Sequence, residues 1–344
     1  MVFAALRMYI EKKRRFLHTF PMKLLLAQPR GFCAGVVRAI DSVKETLKLY
    51  GPPVYVKHEI VHNKHVVDEL RQKGAIFIED VEDVPVGSIL IYSAHGVSPQ
   101  VRKEAKKRRL LEIDATCGLV TKVHSAAKRY ADKGYEIILI GHKDHVEIIG
   151  TKGEAPEKTH VVESEEDVDA LTFGKEDQLF YLTQTTLSLL DVKKITQKLQ
   201  KKYPQIRSLP SSSICYATTN RQLALASFAK KTDVFFVVGD PTSSNSNRLK
   251  ELAALEGPSA FLINDETEIT PSMLEGAHTI GMSAGASTPE SIVQRCIQKL
   301  QEYGVHEIEE VAYKKEEVFF DLPKNLRQMM NSSSQNRKED TSPF

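Results

Sequence analysis

The sequence predicts an α/β protein of three similar units, each with a small parallel sheet. Three observations carry this. Between residue 22 and about residue 304, short β-branched or Leu-rich runs alternate with amphipathic helical segments, the pattern of parallel βαβ units. Cys33, Cys117 and Cys215 stand 84 and 98 residues apart by number, each after a β-like run and at the head of such a segment. Some 28 or 29 residues beyond each cysteine, a strand ends in a polar tip, at His62, His145 and Ser243.

The first unit, 22–116, opens with the strand-like MKLLLA. Cys33 then heads CAGVVRAIDSVKETLKLYG, apolar at helical spacing and stopped by Gly51. A strand PVYVKHEIVHN, a short helix HVVDELRQKG, the strands GAIFIEDVEDV and GSILIYSAHGVS, and a helix PQVRKEAKKRR follow. The second unit, 117–214, repeats the order: the helix CGLVTKVHSAAKRYADKG, the strands YEIILIGHKDH, THVVESEEDV and QLFYLTQTTLS, and a helix from Leu190 to Lys202. The third, 215–304, runs CYATTNRQLALASFAKKT, DVFFVVGDPTSSN, SNRLKELAALEG, SAFLINDETEI, HTIGMSAGAST and PESIVQRCIQKLQEYG. Ile78, Val162 and Ile263 lie 45, 45 and 48 residues after their cysteines, so spacing persists where identity does not, as a repeated fold requires.

The ends read differently. Residues 1–21 start apolar, but the basic EKKRR block follows the apolar part, the wrong order for a secretory signal. They are expected to be a peripheral extension ahead of Met22. The segment 305–344 is expected to be a C-terminal tail with a disordered end, since NLRQMMNSSSQNRKEDTSPF is polar and Ser/Asn-rich.

With 344 residues, 41% hydrophobic and 27% charged, the chain is of the soluble globular class. A net charge of +2 leaves no footprint for nucleic acid, and no apolar run approaches the roughly 18 residues of a membrane span. Four cysteines are too few for a secreted disulfide scaffold and suit a reducing, cytoplasmic setting.

In parallel sheets ligands bind beyond the carboxyl ends of the strands. Those ends carry VHN, GHKDHVE and DPTSSNSN in one set, and SAHGVS, TQTTLS and SAGAST in the other. A thiol at a helix N-terminus has its thiolate stabilised by free N–H groups. Three such thiols suit one central metal or iron–sulfur site, whereas Cys296, inside IVQRCIQKL, suits a buried core position. Zinc usually shows a close Cys pair, absent here. A cluster held by three cysteines leaves one iron free for a substrate oxygen. His62, His95 and His145 at strand tips are candidate anion ligands and proton carriers. Ser243, Ser244 and Asn245 before a helix, with Ser287, form a candidate phosphate cradle, although each could be an ordinary cap. Glu147 is the candidate acid, its pKa expected to rise in a desolvated pocket, and Thr185 a candidate hydroxyl relay.

Together RGFCAGVVRAI, HEIVHNKHVV, SAHGVS, DATCGLVTKVH, TQTTLS, ICYATTNRQ and SSNSNRL resemble the 4-hydroxy-3-methylbut-2-enyl diphosphate reductase family over about Met22 to Gly304. The resemblance implies three α/β units in a pseudo-threefold trefoil around a central [4Fe–4S] cluster, with the strand near 22–32 packing into the third unit. It implies Cys33, Cys117 and Cys215 as cluster ligands and His62, His95, His145, Ser243, Ser244, Asn245 and Ser287 as diphosphate ligands. Glu147 matches the proton donor, with Thr185 and His145 beside it. The implied partners are an allylic diphosphate and a small ferredoxin- or flavodoxin-type reductant. Gly118 and Val146 depart from the pattern, standing where proline is expected. A non-catalytic redox sensor holding a cluster or zinc would need the cysteines but not the histidines or the cradle. An iron–sulfur dehydratase would need no external electrons.

Overall fold

The computed structural model describes residues 22–211 and 213–339, so the expectation for residues 1–21 lies outside the described residues. In chain order the strands are β1 (Met22–Gln28), β2 (Val54–Lys57), β3 (Ala75–Ile78), β4 (Ile89–Tyr92), β5 (Leu111–Asp114), β6 (Glu136–Ile140), β7 (Thr159–Val162), β8 (Leu179–Thr183), β9 (Arg207–Ser208), β10 (Val234–Val238), β11 (Ser259–Ile263), β12 (Thr279–Ala284) and β13 (Val305–Ala312). They form three parallel sheets in the orders β3-β2-β4-β5, β7-β6-β8-β9 and β11-β10-β12-β1-β13.

The same order recurs in all three: a first strand flanked by the second and third, and a fourth beside the third. The fourth strand is always the one that leads into a cysteine: β5 before Cys117, β9 before Cys215, and β1 before Cys33. In the last sheet this place is filled by the start of the described chain, through parallel pairs from Lys23 with Thr279 to Leu26 with Met282.

Alternation along the strands explains the packing. In the five-stranded sheet Leu24, Leu26, Phe236 and Met282 face the helix Glu290–Glu302 through Ile292, Val293, Cys296 and Ile297. Leu25, Ala27, Phe235 and Val237 face Leu225, Phe228, Leu249 and Ala253 on the opposite side. Cys296 is fully buried there, as a small apolar side chain. In the β6–β9 sheet, Ile137, Leu139, Phe180 and Leu182 pack on Val123, Ala126 and Ala127, and Ile138 and Ile140 pack on Ile195 and Leu199.

By compactness the chain divides into two units. Among the described residues, one takes residues 22–32 with Thr219–Glu316; the other takes Cys33–Thr218 with residues 317–339. All three candidate cluster cysteines fall in the second. Several elements differ from the sequence reading. Residues 305–312 form β13, a sheet edge whose Glu-rich face stays exposed and so lacks strand-like alternation. Lys324–Glu339 is helical where a disordered tail was expected; Asn325 donates from its side chain to the carbonyl of Glu112 at 2.6 Å. THVVESEEDV is a strand only to Val162. Its Ser164 caps a helix Glu165–Ala170 through a reciprocal bond with Asp167.

Candidate functional site

Each cysteine of the trio heads a helix. Cys33 precedes Ala34–Tyr50, Cys117 precedes Gly118–Asp132 and Cys215 precedes Tyr216–Ala226. The sulfurs of Cys33 and Cys117 share the space beside Gly35. A Cβ there would lie 2.6 Å from Cys117 Sγ and 3.9 Å from Cys33 Sγ, so the glycine opens the gap that the thiols face. Cys215 Sγ lies 3.0 Å from Thr218 Oγ1 and accepts from Thr218 N–H at 3.2 Å. Burial first, and repulsion from Cys33 second, push the Cys117 thiol up to about 11 and the Cys215 thiol up to about 12. The N–H groups of Leu119 and Val120 pull Cys117 partly back, as a helix N-terminus does. Among the described residues no group of His, Cys, Asp or Glu is drawn together as a single metal ion would require.

Three histidines gather beyond the carboxyl ends of β2, β4 and β6. The rings of His62 and His95 stack with centroids 4.2 Å apart, and His145 stands edge-on to them at 5.6 and 6.0 Å. His95 Nδ1 lies 3.3 Å from Ser93 Oγ, and His62 Nδ1 lies 3.3 Å from Glu59. His145 caps the helix Val146–Lys152: its Nδ1 accepts the Glu147 N–H at 3.1 Å, which leaves Nε2–H as the donor toward a ligand. Burial and the neighbouring histidines hold His95 well below the ordinary imidazole range and bring His145 down to about 3. As residues, His62, His95 and His145 are each half-buried.

Glu147 does not sit at a strand tip, as the sequence suggested, but in the first turn of that helix, 2% exposed. Its Oε1 accepts the Thr185 N–H at 2.7 Å, and its Oε2 lies 2.9 Å from Thr185 Oγ1. Burial raises its carboxyl to about 7 against the pull of both Thr185 bonds. With a fixed N–H donor on Oε1, the acid proton belongs on Oε2, facing the threonine hydroxyl. The Thr185 carbonyl in turn accepts the Cys215 N–H at 3.0 Å. Likewise, the Ala94 carbonyl beside His95 accepts the Cys117 N–H at 3.0 Å. Two of the three thiols are thus tied by main chain to residues next to, or bonded to, candidate ligands and acid.

In the other unit Ser243 caps the helix Ser244–Leu255, accepting from Ser246 N–H at 3.3 Å. Asn245 is 4% exposed, and neither atom of its amide has a protein partner among the described residues. Ser246 Oγ, also without one, faces Gly239 and Gly285. Ser287 is buried just past β12. Gly35, Thr218 and Ser246 were not singled out by the sequence; only the glycine of CAG and the hydroxyls in CYATT and SSNSN hinted at them.

A sequence profile of the LytB protein family matches residues 24–301. The chain belongs to the LytB family. The chain is similar to two relatives named 4-hydroxy-3-methylbut-2-enyl diphosphate reductase. The one from Protochlamydia amoebophila (strain UWE25) is 67% identical over 305 residues, 89% of this chain and 97% of the relative. The one from Chlamydia pneumoniae is 59% identical over 307 residues, 89% of this chain and 99% of the relative. The solved E-1-hydroxy-2-methyl-but-2-enyl-4-diphosphate reductase of Plasmodium falciparum is similar with a TM-score of 0.90 and 48% identity, covering 92% of this chain and 99% of its own. A second solved reductase, described as the terminal enzyme of the non-mevalonate pathway, gives a TM-score of 0.60 at 32% identity over 82% of this chain and 99% of its own. Among the described residues no helix is long and apolar enough to cross a membrane.

Proposed function

We propose that the chain reduces (E)-4-hydroxy-3-methylbut-2-enyl diphosphate to isopentenyl and dimethylallyl diphosphate, the last step of the methylerythritol phosphate route to isoprenoids. The reaction takes up two electrons and two protons and releases water. The names and near-full coverage of the relatives support this reading.

Cys33, Cys117 and Cys215 are proposed to hold one [4Fe–4S] cluster. Three helix-heading thiols, a glycine gap beside two of them and an N–H aimed at the third suit such a group. When bound, it supplies single electrons, delivered by a ferredoxin- or flavodoxin-type protein, and a Lewis-acid iron without a protein ligand. Free thiols of this kind suit a reducing, cytoplasmic compartment.

His62, His95, His145, Ser243, Ser244, Asn245 and Ser287 are proposed diphosphate ligands, as the family resemblance implies. Imidazoles and hydroxyls can hold a diphosphate by hydrogen bonds without the fixed positive charge of Arg or Lys. Glu147 holds the proton on Oε2 and passes it through Thr185 Oγ1 toward the substrate. His145 serves this step as well, because its cap bond fixes the Glu147 turn.

The single observation that carries the proposal is the Glu147–Thr185–Cys215 chain. It links a buried carboxyl near neutrality to the main chain of a candidate cluster ligand. Anaerobic purification with iron and sulfide counts, absorbance with and without the diphosphate, and turnover with and without reductant test it. A colourless, zinc-containing protein would end the cluster assignment. Turnover without a reductant would replace the reductase by a dehydratase.

A further inference from the structure

His124 has no part in the roles assigned above, yet its surroundings are built around it. It lies on the helix Gly118–Asp132 headed by Cys117, and its side chain is 8% exposed. Its Nδ1 lies 3.0 Å from Glu154 Oε1; a carboxylate can only accept, so Nδ1 carries the proton. Its Nε2 is buried and has no protein partner among the described residues.

The free edge of the ring enters a slot walled by two glycines. A Cβ on Gly96 would stand 3.1 Å from Cε1 and 3.2 Å from Nε2. A Cβ on Gly150 would stand 3.1 and 3.3 Å from the same atoms and 3.7 Å from the Gly96 carbonyl carbon. The two backbones therefore approach each other at the ring edge. Gly96 follows His95, and its φ of 78° is one that few side chains tolerate. Gly150 lies three residues after Glu147, one turn along the same helix.

We propose that His124, oriented by Glu154, is a positioning residue that fixes the separation between the loop carrying His95 and the helix turn carrying Glu147. A ring wedged between two backbones sets a distance that a flexible side chain would not. The Glu154 bond stops the ring from turning out of the slot. The proposal rests on the reading that His95 and Glu147 serve one ligand.

The test uses the iron-replete protein and compares H124N, E154Q, E154A, G150A and H124N/G150A. Each is measured for iron content, unfolding temperature, kcat, KM and the ratio of the two diphosphate products. H124N keeps a donor near Glu154 but removes the ring edge. It is expected to keep its iron, lower kcat by about 10- to 100-fold, the cost of an ångström-scale misplacement, and shift the product ratio. E154A should behave alike, while E154Q, which retains an acceptor oxygen, should stay near wild type. G150A alone crowds the ring and should lower kcat. In H124N the added methyl fills the space, so the double variant should recover part of the loss. Wild-type kcat and product ratio in folded, iron-replete H124N overturn the proposal. If H124N does not fold, wild-type kcat in E154A overturns it instead. If the wild-type protein shows no reductant-dependent turnover, the functional reading falls first and takes this proposal with it.

Discussion

Replacing Glu147 by Gln separates its charge from its shape. Gln keeps an oxygen for the Thr185 N–H, and its amide can donate to the Thr185 hydroxyl, which turns to accept. What disappears is the ionisation. Burial moves the wild-type carboxyl from the ordinary 4.5 to about 7. Between those values the folded state binds more protons than the unfolded state, so wild-type stability falls as pH rises through the window. Below about 4.5 the group is protonated in both states, and above about 7 it is ionised in both. At 1.36 kcal/mol per pKa unit, a shift of roughly 2.5 units amounts to about 3 kcal/mol. The group is buried, so solvent screening removes little of this.

The expected result is that E147Q matches wild type near pH 4.5 and exceeds its stability by about 3 kcal/mol near pH 8. Urea titrations of both proteins across this range measure it, and other titrating groups cancel in the difference. Turnover should move the opposite way, falling by about 10²- to 10⁴-fold, as loss of a general acid does, with substrate binding retained. A stability difference that stays flat with pH would show that Glu147 is not held near neutrality. Near-normal turnover would remove it from the proton path.

Gly35→Ala places a methyl 2.6 Å from Cys117 Sγ; iron content and visible absorbance should fall sharply in a protein that still folds. Gly118 occupies the first helical position after Cys117, where Pro is well tolerated, and among the described residues a Cβ there meets only Phe320, at 3.9 Å. G118P should therefore raise stability by about 0.4–1 kcal/mol in chemical denaturation. His95 is held neutral in the free protein, so an arriving diphosphate should draw a proton onto it. Calorimetry with inorganic diphosphate near pH 7, in buffers of different ionisation heat, should show more proton uptake in wild type than in His95→Asn. Leu24→Ala, in a fully buried strand position, should cost about 2–5 kcal/mol, read by urea unfolding.

The cysteines and strand tips were legible because their chemistry depends on local context. A thiol after a β-like run and before an amphipathic segment heads a helix whatever surrounds it. The repeated spacing also exposed the three units, although the order of strands within each sheet was not read and the helices Val146–Lys152 and Glu165–Ala170 of the second unit were missed. Long-range pairing was harder. HEIEEV in β13 gives no apolar alternation because an edge strand with an exposed face needs none, and only β1 beside it makes it a strand. Glu147 was legible as an acid but not as a helix residue. Its seven-residue helix is held by the His145 cap and by packing, not by helical periodicity. His124 reads in the sequence only as a neighbour of the site or a solvent residue, since a histidine on an amphipathic helix looks like surface until two glycines from elsewhere close over it.

One physical condition links the thiols, the histidines and the acid. Burial drives each titrating group with a resolved shift toward its uncharged form near neutral pH: Cys117 and Cys215 upward as thiols, His95 and His145 downward as imidazoles, and Glu147 upward as an acid. A site of neutral groups in a weakly polar setting leaves its charge to what it binds. A metal centre would draw the thiols to thiolates, and a diphosphate would draw protons onto the imidazoles. Each ligand thereby offsets the desolvation cost of charging these groups. Arg or Lys at the same tips would fix positive charge before any ligand arrived and would pull Glu147 toward its ionised form. Histidine avoids that conflict, which is the physical reason for an anion site built from imidazoles, hydroxyls and amides beside a protonated carboxyl.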